Sequence, residues 1–319
     1  MKNIAVMTSG GDAPGMNNAI RAVVRSAIYH GMGAYGIYYG YEGLVNDHIE
    51  PLTRQNVSRI LNRGGTILGS ARYPDFKQLD VQRHAANNLR RREIDGLIVI
   101  GGDGSYRGAL ALHEQGIQCI GLPGTIDNDI PSTDYTIGFY TALNTAVESI
   151  DKLRDTSFSH RRCSVVEVMG RHCGDLALYA GIAVGSEFII TPETGFKKQE
   201  TLDAVRKSYL SNKRHAIVVA TERIVNVHEL AKEIESYTGY ETRATVLGHV
   251  QRGGTPSAFD RVMATEMAEH AVGLLAAGIG GRAVGLRGKD LVDVPIETAL
   301  TMEKTVTKKR YGLVGRLVE

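Results

Sequence analysis

Residues 97–122 read LIVIGGDGSYRGALALHEQGIQCIGL. The apolar run Leu97-Ile98-Val99-Ile100 breaks at once into Gly101-Gly102-Asp103-Gly104-Ser105. A helical stretch through Leu110-Ala111-Leu112 to Gln115 follows, with Gly116 placed as its C-cap. A second apolar run, Cys119 to Leu122, stops at Pro123-Gly124. Apolar strands separated by a helix predict parallel pairing in a sheet covered on both faces.

The same rhythm extends in both directions. Asn3 to Met7 reads as a strand ending in a glycine-rich turn, followed by a helix from about Met16 to His30. Ile20, Val23, Val24, Ala27 and Ile28 form one apolar stripe on that helix at i, i+3, i+4, i+7, i+8. A strand is predicted near Ala34–Tyr38. Downstream, a helix covers about Thr141 to Asp155, and strands fall near Ser164–Val168, Glu187–Ile190, Ala216–Ala220 and Arg243–Leu247. The fold class predicted is α/β, with two lobes sharing one cleft and each lobe a largely parallel sheet between helices. Ligands of such sheets bind beyond the carboxyl ends of the strands. Glycine-rich segments after Met7, Ile100, Leu122, Met169 and Leu247 all sit at such ends.

Composition narrows the class. The chain has 319 residues with Lys+Arg 37 against Asp+Glu 35, a net charge of +2. That balance argues against a dedicated nucleic-acid binder. No stretch reaches the roughly 18 apolar residues of a membrane helix, and Ile4-Ala5-Val6-Met7 is too short for a signal-peptide core. Three cysteines, Cys119, Cys163 and Cys173, lack metal-ligand spacing and fit reduced thiols in a cytoplasmic protein.

The loops suggest anion chemistry. TSGGDAPGMN at 8–17 joins a strand to a helix, where glycines admit close backbone approach and the helix N-terminus favours an anion. Residues 101–105 repeat the device and set Asp103 beside it. A carboxylate next to a phosphate cradle calls for an intervening cation, and Mg²⁺ suits carboxylates plus phosphate oxygens. The alternative is a pair of ordinary βα turns. Pro123-Gly124-Thr125-Ile126-Asp127-Asn128-Asp129 is either an Asx-type turn or a general base with a companion carboxylate. Met169-Gly170-Arg171-His172 and residues 248–254, GHVQRGG, each combine a strand end, glycine and the planar fork of Arg. The P-loop pattern, the G-x-G-x-x-G fingerprint after a strand and the G-x-S-x-G elbow are all missing from the sequence.

These residues together resemble the bacterial ATP-dependent 6-phosphofructokinases. The likeness runs from Met1 to the C-terminal region, through TSGGDAPGMN, GGDGS, PGTIDNDI at 123–130, MGRH and GHVQRGG. It implies a two-lobed enzyme, usually a homotetramer. An ATP lobe would comprise 1–138 with 251–302, and a fructose 6-phosphate lobe 139–250 with 303–319. It implies ATP contacts at Gly11, Arg72, Tyr73, Gly102, Asp103, Gly104 and Ser105, with Mg²⁺ on Asp103. Tyr73 departs from the Cys common in the family. Thr125, Ile126 and Asp127 would face the reacting hydroxyl, with Asp127 as base. Met169, Gly170, Arg171 and Glu222 would line the sugar site, and Arg171 would also offset charge on the moving phosphoryl group. His249, Val250, Gln251 and Arg252 would hold the 6-phosphate end, joined by Arg162 and Arg243 from a neighbouring subunit. Related pyrophosphate-using enzymes carry Asp at position 104 and Lys at 124, so Gly104 and Gly124 favour ATP. NAD or lipid kinases share GGDG but not GHVQRGG. A non-catalytic metabolite-binding relative would not need Asp103, Asp127 and Arg171.

The resemblance further implies an intersubunit effector pocket for ADP or phosphoenolpyruvate. Arg21, Arg25, Arg54, Arg154, Gly185, Glu187 and Lys213 match it. Arg59 stands where Asp is usual, Ser211 where a cation is usual, and Arg214 replaces Lys. The expectation is an anion site with weakened or altered regulation.

Overall fold

The structure is a computed structural model that describes residues 1–304 together with Arg310, Gly312 and Leu313. The chain divides into two units. The first comprises Met1–Ile126, Ile130–Thr141 and Arg252–Lys304. The second comprises Asp127–Asp129 and Ala142–Gln251 and continues after Lys304. Most of the expected C-terminal return at 303–319 lies outside the described residues.

Along the chain run β1 Asn3–Thr8, α1 Met16–Tyr29, β2 Gly33–Ile37, α2 Gly40–Val45, β3 Ile49–Pro51, α3 Leu79–Arg91, β4 Ile94–Gly101, α4 Asp103–Glu114, β5 Gln118–Pro123 and α5 Phe139–His160. There follow β6 Arg162–Val168, α6 Asp175–Val184, β7 Phe188–Ile190, α7 Lys198–Leu210, β8 Ala216–Thr221, α8 Val227–Thr238, β9 Glu241–Val246, α9 Ala258–Ala276, β10 Arg282–Arg287, β11 Asp290–Pro295 and α10 Ile296–Thr301.

The first unit is built on a sheet of order β11-β10-β5-β4-β1-β2-β3. Its centre is parallel, and Leu97, Ile98, Val99 and Ile100 of β4 are all fully buried. Burial on both faces explains why β4 reads as an unbroken apolar run. The α4 helix ends as its sequence predicts. Gly116, at φ +88°, gives its N–H to His113 O, and Ile117 gives its N–H to Leu112 O. This is a Schellman closure around a left-handed glycine. The reading along the chain did not place β3, β10 or β11; β3 and β11 pair antiparallel at the two edges. β3 spans only three residues and β11 reads DLVDVP. An edge strand half open to water carries no continuous apolar run.

The second unit holds an all-parallel sheet of order β7-β8-β6-β9. Cys163, Val165, Val218 and Ala220 on its strands pack against Val205 of α7 and Leu230 and Ile234 of α8. All three cysteines are buried and free. The topology places the loops after β5, β4 and β1 side by side in one unit, and those after β8, β6 and β9 side by side in the other.

Candidate active site

In the first unit the two glycine-rich turns are tied together. Ser9 gives its N–H to Ile100 O at 3.0 Å, and Ser105 Oγ donates to Ser9 O at 3.2 Å. Gly101 must be glycine, because a Cβ there would collide with Ser105 Oγ and Ser9 O. Gly102 and Gly104 differ, since a Cβ on either meets nothing within 4 Å. Neither has a positive φ. Backbone and packing therefore tolerate side chains there, and the space over the α4 N-terminus is left open. Asp103, the first residue of α4, is exposed and pairs only loosely with Arg107 at 3.4 Å. An accessible carboxylate beside an uncrowded helix N-terminus fits a Mg²⁺-phosphate group. Ser105 is buried, and its hydroxyl joins the two loops.

Arg72 is exposed, and Tyr73 packs against the core that contains Phe76 and Tyr41. Sequence reasoning missed Tyr41. Its ring lies 4.2 Å from Phe76, and its hydroxyl donates to Ser105 O at 2.6 Å, so it links the 72–77 segment to α4. No spacing rule marks such a tyrosine, because the contact joins residues 64 apart. The Arg252 guanidinium lies over Gly11, with Cζ 3.5 Å from where a Gly11 Cβ would stand. The structure thus sets Arg252 at the first glycine loop, whereas the resemblance grouped it with the 6-phosphate contacts.

The loop after β5 is pinned at its base. Gly124 N–H bonds to Gly101 O at 3.1 Å and Ile137 N–H to Pro123 O at 2.8 Å. Thr136 Oγ donates to Thr125 O at 2.6 Å. Ile126 is buried, while Thr125 and Asp127 are half-buried. Asn128 adopts the left-handed φ of +52°, making the turn, and its side chain donates to Asp175 Oδ2 at 2.8 Å.

In the second unit, Gly170 has φ +134°, and a Cβ there would collide with Cys173 O. Arg171, at φ +58°, is exposed. Glu222 follows β8 and gives its N–H to Val168 O at 2.8 Å. Burial raises the pKa of Glu167, and the nearby Glu222 charge adds to the rise. Gln251 is fully buried. Its Oε1 accepts Met169 N–H at 3.3 Å, and its Nε2 donates to Gly248 O at 2.9 Å. This couples the loops after β6 and β9 and leaves His249 and Val250 exposed. Arg162 and Arg243 lie near the amino ends of β6 and β9, paired with Glu241. A seven-residue strand spans about 20 Å, so within one chain these two arginines do not join the loop cluster.

The residues of the expected effector pocket fall into two groups. Burial lowers the pKa of Arg21, and Arg25 one turn on lowers it further, so the two cations are close on α1. Arg54 is exposed. In the second unit, buried Glu187 accepts from Lys213 and from Ile217 N–H. Arg154 pairs with Asp151 at 2.9 Å and donates to Val184 O, next to Gly185. Ser211 is exposed and donates to Ser208 O at 3.0 Å, and Arg214 lies over the Phe158 ring at 4.5 Å. Among the described residues, no cluster of three or more His, Cys, Asp or Glu could hold a metal ion, and no helix is long and apolar enough to cross a membrane.

A family model described as "Phosphofructokinase" matches residues 3–275. Curated proteins named ATP-dependent 6-phosphofructokinase are similar over nearly the whole chain. That of Teredinibacter turnerae is 57% identical over 300 residues, 94% of each chain. That of Vibrio vulnificus is 59% identical over 318 residues, 99% of each. Among solved structures, phosphofructokinase from Saccharomyces cerevisiae aligns with TM-score 0.88 at 34% identity, covering 100% of this chain and 47% of that one. The Pichia pastoris enzyme aligns with TM-score 0.90 at 36% identity, covering 99% and 37%. The chain thus spans less than half of either yeast polypeptide. A pyrophosphate-dependent phosphofructokinase from Marinobacter aquaeolei, 22% identical with TM-score 0.88, shares the fold.

Proposed function

The chain belongs to the phosphofructokinase family, and on that premise we propose that it transfers the γ-phosphoryl group of ATP to the C1 hydroxyl of fructose 6-phosphate. The products are fructose 1,6-bisphosphate and ADP, a step of glycolysis. The observation that carries ATP as donor is the open space at Gly102 and Gly104, which neither the backbone nor the packing requires. A nucleotide laid over the α4 N-terminus would use that space, and an Asp side chain at 104 would occupy it and repel the α-phosphate.

Each residue of the two units that the family resemblance singles out has a role in that transfer. Asp127 takes the proton from the C1 hydroxyl as its oxygen attacks the γ-phosphorus, and Thr125 orients that hydroxyl. Arg171 sets its cation against charge developing on the equatorial oxygens. Gly11, Arg72, Tyr73 and the 102–105 turn seat ATP. Asp103 would hold Mg²⁺, which when bound offsets the charge of the phosphate oxygens. Met169, Gly170 and Glu222 seat the sugar, and Gln251 holds Met169 in place. Arg252, over Gly11, lies at the first glycine loop, and His249 grips the 6-phosphate together with Arg162 and Arg243 of a neighbouring copy in a homotetramer. The amino-end position of the latter two supports their acting across a subunit boundary. Holding the remote phosphate orients the reacting end.

Regulation by ADP or phosphoenolpyruvate is weakened or altered, because Ser211 offers no cation and Arg214 is engaged with Phe158. Three reduced, buried thiols suit a cytoplasmic enzyme.

A coupled assay for ADP release, run with ATP or pyrophosphate and with or without fructose 6-phosphate, tests the reading. The expected result is sugar-dependent ADP release from ATP. Turnover with pyrophosphate and none with ATP overturns it.

A further inference from the structure

Asp260 is fully buried on α9, and the mechanism above does not use it. Its carboxylate receives four donors. Gly138 N–H reaches Oδ1 at 2.9 Å. Thr141 N–H at 2.8 Å, Thr141 Oγ at 2.5 Å and Ser257 Oγ at 3.0 Å reach Oδ2. In return Ser257, the N-cap of α9, accepts Asp260 N–H at 3.1 Å, which completes a capping arrangement. Ser257 N–H donates to Thr141 Oγ at 2.9 Å. Burial pushes the Asp260 pKa up, and the bonds from Thr141, Gly138 and Ser257 pull it back.

One helix cap needs one or two of these bonds. The others reach out of α9 to the start of α5. Gly138 and Thr141 close the loop that opens at Gly124, and between those ends lie Thr125 and Asp127. Next to Gly138, Ile137 bonds to Pro123 O and Thr136 bonds to Thr125 O. The first glycine loop ends at the same place, since a Cβ on Gly15 would stand 3.5 Å from Asp260 Cβ. The segment carrying Arg252 enters α9 through Ser257. Three ligand-bearing segments therefore converge on one buried carboxylate.

The geometry points to Asp260 as a positioning residue for phosphoryl transfer, which anchors the loop bearing Thr125 and Asp127 through Gly138 and Thr141. The inference rests on the kinase reading above. It explains why an acid is needed at this place. All four contacts are donors, so only an acceptor on both oxygens satisfies them, and an amide turns a donor against one set.

The test is steady-state kinetics with ATP and fructose 6-phosphate, paired with thermal melts. Asp260→Asn is expected to lower kcat by about 100-fold with KM for both substrates changed less than about threefold. Ser257→Ala removes the α9 cap but leaves the Gly138 and Thr141 bonds, and it is expected to lower the melting temperature with kcat within about twofold of the parent. An Asp260→Asn protein that melts early yet keeps parental kcat overturns the inference, as does a Ser257→Ala protein that loses kcat equally. If Asp260→Asn does not fold, Thr141→Ala keeps the carboxylate and is expected to lower kcat by about tenfold; unchanged kcat overturns the inference. A parent enzyme without sugar-dependent ADP release overturns the kinase reading and this one with it, whereas an active parent with unaffected variants overturns this one alone.

Discussion

Gly124 gives its backbone N–H to the carbonyl of Gly101 at 3.1 Å, so the turns leaving β5 and β4 are joined at their first residues. The contact leaves no room for a side chain. A Cβ on Gly124 would stand 2.8 Å from Ile100 Cγ2 and 3.0 Å from Met16 Cε. Gly104, its partner in the argument for ATP, is open. The two glycines are therefore required for different reasons, one by the protein's own packing and one by the ligand. Gly124→Lys is expected to destabilise the fold by about 1–3 kcal/mol through overpacking. Gly104→Asp is expected to melt like the parent but to lose at least about tenfold in kcat/KM for ATP. Unchanged ATP kinetics in Gly104→Asp would contradict the donor assignment.

Asp127 is assigned as the base. Asp127→Ser is expected to lower kcat by about 10²–10⁴-fold with smaller changes in substrate affinity. Single-turnover measurements check this directly, and near-parental turnover removes Asp127 from the role.

Gln251 joins Met169 to Gly248 from a fully buried position. Gln251→Ala leaves both backbone groups without that partner, at a cost of about 1–3 kcal/mol. Both flanking loops belong to the proposed sugar site. KM for fructose 6-phosphate is therefore expected to rise by about tenfold while KM for ATP stays constant. Equal changes in both KM values would mean a general loss of structure.

Acid stability has identifiable sources. The bidentate Arg92 bond, at 2.9 Å on each oxygen, holds the Asp47 carboxyl below its ordinary pKa. Burial alone would raise Asp293, but bonds from His270 and Arg282 outweigh it and its pKa is lowered. A carboxyl whose folded pKa is depressed contributes stability above its unfolded pKa and loses it as pH falls through the folded value. Melting temperature should thus fall as pH drops below the ordinary carboxylate range. Asp293→Asn should flatten that acid limb, and a limb of unchanged slope would exclude Asp293 as a source.

The regulatory prediction turns on Ser211, which supplies no charge to an incoming phosphate. Fructose 6-phosphate saturation curves are expected to move little when phosphoenolpyruvate is added. Ser211→Lys is expected to increase that response. A large shift in the parent at low effector concentration contradicts the prediction.

Much of the central architecture was legible along the chain because burial on both faces forces unbroken apolar runs such as Leu97–Ile100. The Gly116 stop of α4 was legible for a similar reason, since it depends on backbone conformation local to a few residues, whereas the helix begins at Asp103, inside the stretch read as a turn. The ligand loops were legible as candidates because they follow strand ends in an alternating pattern. The edge strands β3 and β11 were not, because half-exposed strands carry mixed composition. Ser257-Ala258-Phe259-Asp260 does have capping-box spacing, yet nothing in that spacing says that Asp260 also serves α5, 119 residues away from Thr141.

Taken alone, the amino-acid sequence determined the α/β class, the position along the chain of most buried strands and the set of loops able to meet anions, because each depends on neighbours within a turn or two. Only tertiary structure decided that Gly104 is open while Gly124 is enclosed, that Arg252 lies over Gly11, and that Tyr41, Gln251 and Asp260 brace the loops. Each of those facts depends on contacts between residues distant in the chain, and hydrogen-bond satisfaction and close packing are settled only once the elements have come together.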